Sequence, residues 1–275
     1  MSIITMSYPG GKTKAVTLSY DDGRTEDKRL IEIMNKHGLK GTFNINTGCF
    51  SEEDLDGRGR MSRKQAIELY TNSGHEVAVH TYTHPHLEDM YTAHVAQEIL
   101  KDRIEIEKMF GTIVRGMAYP FGSSTDEVVN CLKAAGIVYS RTTESTGWFN
   151  IPTDWLRMPA TCHHNDPRLP ELTDRFLSIE KRSFDTCWLF YLWGHSYEYE
   201  GNHNWDIIER FAEKVGNRDD IWYATNIEVY DCVHNFKQLI YNAEGTKVYN
   251  PTASSVWIRI DGDAVEIPSG KTLNL

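Results

Sequence analysis

Two short runs place two carboxylates and two imidazoles at metal-ligand spacing: Ser19-Tyr20-Asp21-Asp22-Gly23 and His80-Thr81-Tyr82-Thr83-His84-Pro85. A borderline divalent ion such as Zn²⁺ accepts both imidazole nitrogen and carboxylate oxygen, and a catalytic site uses three protein ligands with one position left open. Two histidines and one aspartate make that count. Side chains four residues apart on a helical turn face the same way, so His80 and His84 converge on one ion if the chain coils there. Adjacent Asp21 and Asp22 point differently, so that one can bind the metal while the other stays free as a base. Each run alone is weak: Asp-Asp-Gly is common turn chemistry, and a pair of histidines four apart is ordinary. Their contexts tie them together. Residues 15–20 and 76–79 are β-branched and apolar runs that end at Asp21 and His80, so both motifs sit at the C-terminal ends of expected strands. In barrels of alternating strands and helices, that is the face where catalytic residues collect.

The elements that must position these groups alternate in the same way. After the first strand, residues 26–37 put Leu30, Ile31, Ile33 and Met34 on one apolar helical face and stop at Gly38. Residues 41–46 read as a second strand, and Ser62 caps a helix reaching residue 73. The histidine strand follows, then a helix over 93–110, a strand over 113–119, a helix over 126–135 and a strand over 137–141. Further on come a strand over 156–161, a helix over 172–182 and the apolar strand 188–193, which ends at Gly194-His195. A helix over 205–215, a strand over 221–224 and a helix over 227–241 complete the rhythm. The tail differs, with short strands at 247–249, 255–260 and 264–267 joined by Asn-Pro and Asp-Gly turns. The expected architecture is α/β: a distorted (β/α)7-type barrel over residues 1–245 with a short β extension over 246–275.

Composition narrows the partners. With 39 acidic against 29 basic residues, the formal net charge is -10, which disfavours nucleic acid and anionic membranes, while an uncharged glycan meets no repulsion. Five scattered cysteines, Cys49, Cys131, Cys162, Cys187 and Cys232, read as reduced thiols used in packing. No apolar run is long enough to span a bilayer, and the first residues lack the pattern of a signal peptide. The expectation is a cytoplasmic protein, or an extracellular one if a leader preceded it. Oligomeric state is not encoded legibly.

Four stretches, in order, resemble the NodB-type polysaccharide deacetylases, the family 4 carbohydrate esterases. Ser19 to Gly23 is similar to the family's T-F-D-D-G, His80 to His84 to H-[ST]-x-x-H, Ala118-Tyr119-Pro120-Phe121-Gly122 to R-x-P-[YF]-G, and Leu192-Trp193-Gly194-His195 to L-x-x-H. The likeness spans residues 14–230. It implies a metal-dependent N-deacetylase that releases acetate from N-acetylated amino sugars in a glycan or oligosaccharide. Position by position, it makes Asp22, His80 and His84 the ligands of a divalent metal, Zn²⁺ first with Co²⁺ or Ni²⁺ also suited. Asp21 becomes the base, His195 the general acid, and the Phe121 backbone N–H an oxyanion donor. Tyr119, Trp193 and Tyr197 stand beside these motifs as further substrate contacts, and Trp148, Trp155 and Tyr199 as weaker stacking candidates.

Two departures accompany the resemblance. Ala118 stands where the family has the arginine that orients the base; Arg115, Arg141 and Arg157 are near in sequence, and spacing does not choose among them. The family's Asp-Trp element, which supports the acid histidine, is matched only by Asp154-Trp155, where Asp154 either orients His195 or caps a turn. His86 and the His163-His164 pair receive no role. Rival readings are hydrolysis of another linear or cyclic amide on the same fold, and a glycan-binding barrel without turnover.

Overall fold

The computed structural model describes residues 3–54, 57, 59–180 and 187–275. Lys14–Asp21 is buried throughout and stands at the centre of the main sheet. Its alternation decides what lies on each side. Val16, Leu18 and Tyr20 face outward into the large cluster formed with Leu30, Ile31 and Met34 of the helix Asp27–Lys36. On the other face, Thr17 Oγ1 meets Asn226 Oδ1 at 2.9 Å, Ser19 Oγ accepts from Asn44 Nδ2 at 2.9 Å, and Asp21 reaches Arg141. The interior of the barrel is therefore polar along this strand.

From Lys14–Asp21 the sheet runs in parallel through Gly41–Ile45, Glu76–Val79, Gly116–Ala118, Tyr139–Ser145 and Met158–Ala160 on one side. On the other side lies Trp188–Gly194, paired in turn with Cys162–His163. Residues 158–163 thus change partners midway and bring the two edges of the sheet together, which accounts for seven strand positions around a distorted ring. Ile221–Tyr223 pairs with the first half of Lys14–Asp21, below the point where Gly41–Ile45 takes over that edge. Register sets the rim: Asp21 lies opposite Asn44, Tyr20 opposite Gly194, and Ala118 opposite Arg141.

Most expected elements form within a few residues of their anticipated ends. Ser62 caps Arg63–Tyr70 with a reciprocal bond from Gln65, and that helix stops three residues before 73 because Thr71 is extended. The anticipated strand 113–119 is paired only over Gly116–Ala118. The expected helix 172–182 starts earlier and ends sooner, at Leu169–Ser178; residues 181 and 182 lie outside the described residues. The last helix, capped by Thr225 and Glu228, ends at Lys237 instead of 241. Ile240–Tyr241 instead pairs with Lys247–Tyr249, because Asn242 Oδ1 accepts from the N–H groups of Thr246 and Lys247 and closes a tight turn.

The tail builds two three-stranded antiparallel sheets. One takes in Ile4–Ser7 from the other end of the chain, paired with Val256–Ile260, and the second adds Thr272–Asn274; neither of those two strands is legible from sequence pattern. Leu239, Val248, Val256, Ile258 and Ile267 bury their side chains together, with Phe236 of the last helix packed against them. Among the described residues no helix is long and apolar enough to cross a membrane.

Phe190, on the strand that leads to His195, is fully buried and lies 5.3–5.5 Å between ring centroids from Phe149, Phe176 and Phe211. Removing its ring should leave a cavity that this aromatic cluster cannot fill. Phe190→Ala is expected to cost about 3–5 kcal/mol of unfolding free energy in urea titrations, with the slope unchanged.

Candidate metal centre and active site

Asp22, His80 and His84 come from the ends of the first and third barrel strands, and one ligand atom from each lies within 4.8 Å of the other two. His84 Nε2 stands 3.7 Å from Asp22 Oδ1, and the two imidazoles are 4.8 Å apart between centroids. The ring nitrogens are ready for an ion. His80 Nδ1 lies 2.8 Å from the Ala118 carbonyl, a pure acceptor, so that nitrogen carries the proton and Nε2 keeps its lone pair. Burial depresses both histidines, His84 to about 4, which keeps them neutral. One carboxylate and two neutral imidazoles fit a divalent ion such as Zn²⁺.

The convergence of the two histidines does not come from a helical turn. Thr81 and His84 both have left-handed backbones, with φ of 66° and 60°, and the chain kinks instead of coiling. Asp22 (φ 84°) and Phe121 (φ 55°) are left-handed as well. Four non-glycine residues in this region of φ gather at one rim, each costing roughly 1–3 kcal/mol. Surrounding contacts hold them: the Asp22 N–H donates to the Asn44 carbonyl at 2.9 Å, and Arg60 donates to the Asp22 carbonyl at 3.0 Å and approaches its carboxylate at 3.3 Å. From the long helix Thr92–Phe110, buried Asp102 accepts from the His80 N–H at 3.0 Å and from Thr47.

Asp21 lies beside the three candidate ligand residues. His80 Nε2 is 3.9 Å and His195 Nε2 4.0 Å from its Oδ2, and Asn44 Nδ2 donates to its Oδ1 at 2.8 Å. The fourth partner is Arg141, whose guanidinium bonds Asp21 Oδ2 directly and is wholly enclosed. Trp193 lies across that guanidinium, 4.2 Å from ring centroid to Cζ. Burial alone would raise the Asp21 carboxyl, but Arg141, His80 and His195 outweigh it and hold the group below its ordinary value. Since the folded pKa lies below the unfolded value of about 3.9, the stabilisation is present above that pH and is lost as acid titrates the carboxylate through its lower folded pKa.

The other two arginines are engaged elsewhere. Arg115 pairs with Asp231, and Arg157 bonds Ser124, Asp126 and Asp154. Asp154 accepts from the Leu156 N–H at 3.0 Å and makes no contact with His195, so it caps a turn and neither it nor Arg157 supports the centre. His195 has a nearer partner. Glu198, three residues on, meets its Nδ1 at 2.9 Å. Burial would lower the His195 imidazole, but Glu198 and the two aspartates outweigh it and raise its pKa.

The aromatic candidates divide. Tyr119 is buried and its hydroxyl donates to the Leu156 carbonyl at 2.7 Å, so it packs inside and does not meet a ligand. Trp193 is nearly enclosed and covers Arg141 instead of offering a free face. Trp155 and Tyr199 are buried, and Trp148 is exposed away from these groups, beside Arg175. Tyr197, half-buried with its ring 5.2 Å from that of His195, and exposed Phe121, edge-on to His84 and stacked on His86, stand at the rim. Asn44, Arg60, Asp102 and Glu198 were not singled out from sequence. Only Glu198 carried a local signal, at i+3 from His195 in the turn that follows the strand.

Residues 9–140 match the family model described as polysaccharide deacetylase. A chitooligosaccharide deacetylase of Sinorhizobium fredii is 26% identical over 156 residues, covering 56% of this chain and 65% of the relative. A peptidoglycan-N-acetylglucosamine deacetylase of Listeria monocytogenes is 24% identical over 152 residues, covering 54% and 30%. The matched region spans less than two thirds of the length of either relative. Among solved structures, a family 4 carbohydrate esterase from Streptomyces lividans in complex with acetate superposes with a TM-score of 0.50 at 15% identity, covering 74% of this chain and 88% of that one. A family 4 pseudoenzyme from Bacillus anthracis gives 0.50 at 18% identity, covering 82% and 68%. These two establish the barrel fold.

Removing one partner of a buried ion pair strands the other charge. Arg141→Met is expected to cost about 3–5 kcal/mol, and the double variant with Asp21→Asn to recover most of it. Equal losses in single and double variants, by chemical denaturation, would show that the pair does not govern this region.

Proposed function

We propose, from the match of residues 9–140 to the polysaccharide deacetylase family model, that the protein is a divalent-metal-dependent N-deacetylase that hydrolyses the acetamide of N-acetylated amino sugars in a glycan or oligosaccharide, releasing acetate. The observation that carries this reading is the meeting of Asp21, Asp22, His80, His84 and His195 at one rim, with a candidate base and a candidate acid 4.0 Å apart beside a cluster of three candidate ligands. A binding module has no need of both.

Asp22, His80 and His84 would hold the ion, which supplies Lewis acidity toward the amide oxygen. Every other task falls to the chain. Asp21, kept ionised and immobile by Arg141 and Asn44, takes a proton from the attacking water. The backbone N–H of Phe121, at the rim, serves the developing oxyanion. His195, with Nδ1 committed to Glu198, presents Nε2 to the centre and delivers its proton to the departing amine, which leaves poorly without one. One proton is taken and one is given as water and amide become acetate and amine. Tyr197 and Phe121 line the approach and would meet the sugar. The Arg141 guanidinium does the work for which the resembling family uses the position held here by Ala118.

The test is acetate release from N-acetylglucosamine oligomers by protein stripped with chelator and resupplied with Zn²⁺, Co²⁺ or Ni²⁺. Activity should vanish and return with metal. Stoichiometric metal without acetate under any condition would favour another linear or cyclic amide, or a barrel without turnover. Asp21→Asn should keep its metal and lose activity by several orders of magnitude, whereas His80→Ala should lose both; an active Asp21→Asn would mean a different base.

A further inference from the structure

The adjacent histidines His163 and His164, with Asn165, lie at the end of the strand segment that closes the barrel, and the catalytic scheme leaves them unused. They face Glu198. Asn165 Nδ2 donates to Glu198 Oε2 at 2.8 Å, His164 Nε2 stands 3.0 Å from the same oxygen and His163 Nε2 3.5 Å. The other carboxylate oxygen, Oε1, is the one that meets His195 Nδ1. Glu198 is therefore surrounded by nitrogens on one oxygen and by His195 on the other, and these neighbours, outweighing its partial burial, hold its carboxyl well below the usual range.

His163, His164 and Glu198 are close enough together to suggest a second cation site. Hydrogen bonding argues otherwise. The Asn165 N–H donates to His163 Nδ1 at 3.2 Å, so a neutral His163 carries its proton on Nε2, the atom that faces Glu198. That nitrogen has no lone pair for an ion, and Asn165 already occupies the carboxylate oxygen that would bind one.

Packing leaves His164 little freedom. It is fully buried, its ring stacks 4.1 Å from that of Tyr199 and lies 5.9 Å from that of Tyr20, and its backbone N–H donates to the Trp193 carbonyl at 2.8 Å. Its Nδ1 lies where a Cβ on Gly194 would stand, 1.9 Å from that ideal position. Only glycine at 194, the residue before His195, admits the ring. Asn165 is braced in turn by Asn204 at 3.2 Å.

We propose that the His163-His164-Asn165 turn is a positioning element for the reaction: it fixes Glu198 Oε2, so that Oε1 holds His195 in the one tautomer and orientation that presents Nε2 to the substrate. This rests on the N-deacetylase reading for its consequence in turnover, but not for its effect on His195. His164→Phe keeps the stacked shape and deletes the nitrogen that stands against Glu198 Oε2, while His164→Gln keeps a polar group there. Asn165→Ala, at an exposed position, removes the amide that donates to Glu198, with little risk to folding.

The experiment pairs steady-state kinetics on N-acetylglucosamine oligomers with nitrogen NMR of the imidazoles in the zinc-loaded full chain, the His195 signals being assigned by their loss in His195→Gln. His164→Phe and Asn165→Ala should each lower kcat by about 10–100-fold with KM and bound zinc unchanged, His164→Gln should recover most of the loss, and the fixed Nδ1-protonated His195 of the parent should give way to a tautomer mixture. Parent-like kcat or an unaltered His195 spectrum in both His164→Phe and Asn165→Ala would overturn the proposal, as would equal losses in His164→Phe and His164→Gln. If the parent releases no acetate, the deacetylase reading fails, and the NMR comparison still decides whether this turn positions His195.

Discussion

A buried carboxylate cannot stand alone, and the Asp21–Arg141 pair is the constraint around which the centre is arranged. Both groups are almost wholly removed from water, so each is tolerable only because of the other and of the further hydrogen bonds around them. Asn44 takes one Asp21 oxygen, the Thr142 carbonyl takes an Arg141 N–H, and the face of Trp193 covers the guanidinium. Small residues on the interior face of the first strand, Ala15, Thr17 and Ser19, leave the volume that Arg141 and the neighbouring tyrosines fill. The pair is expensive as a source of stability, and its value is a carboxylate that stays ionised and fixed beside the imidazoles.

The second constraint is backbone strain collected at the same rim. Asp22, Thr81, His84 and Phe121 hold left-handed conformations that none of them prefers. Arg60, Asn46 and Asp102 reach in from loops and the long helix to bind the carbonyls and N–H groups of these kinks. Rigid strands bring the chain to the rim, and the strained residues then aim the side chains inward, which regular geometry would not do.

A barrel of this kind also divides its carboxylates by environment. Asp21 is tied to a guanidinium, Asp22 turns toward two imidazoles, and Glu198 binds the far side of His195. The same chemical group thus stands in three settings, set apart by burial and by partners. A fold of this kind does not by itself specify chemistry, which depends on the local arrangement of such groups.

What the sequence determined by itself was local. Apolar alternation marked the barrel strands, glycine and serine marked helix ends, and the short runs around Asp21 and His80 placed candidate ligands at strand ends, because each of those signals lies within a few residues of what it specifies. Ile4–Ser7 and Thr272–Asn274 escaped notice because their partners lie far along the chain or in a short tail with weak pattern. The choice of Arg141 over Arg115 and Arg157, and of Glu198 over Asp154, belonged to the tertiary structure. Sequence distance ranks such candidates almost equally, whereas strand register and the turn after Gly194 decide which side chain points into the barrel and reaches its partner.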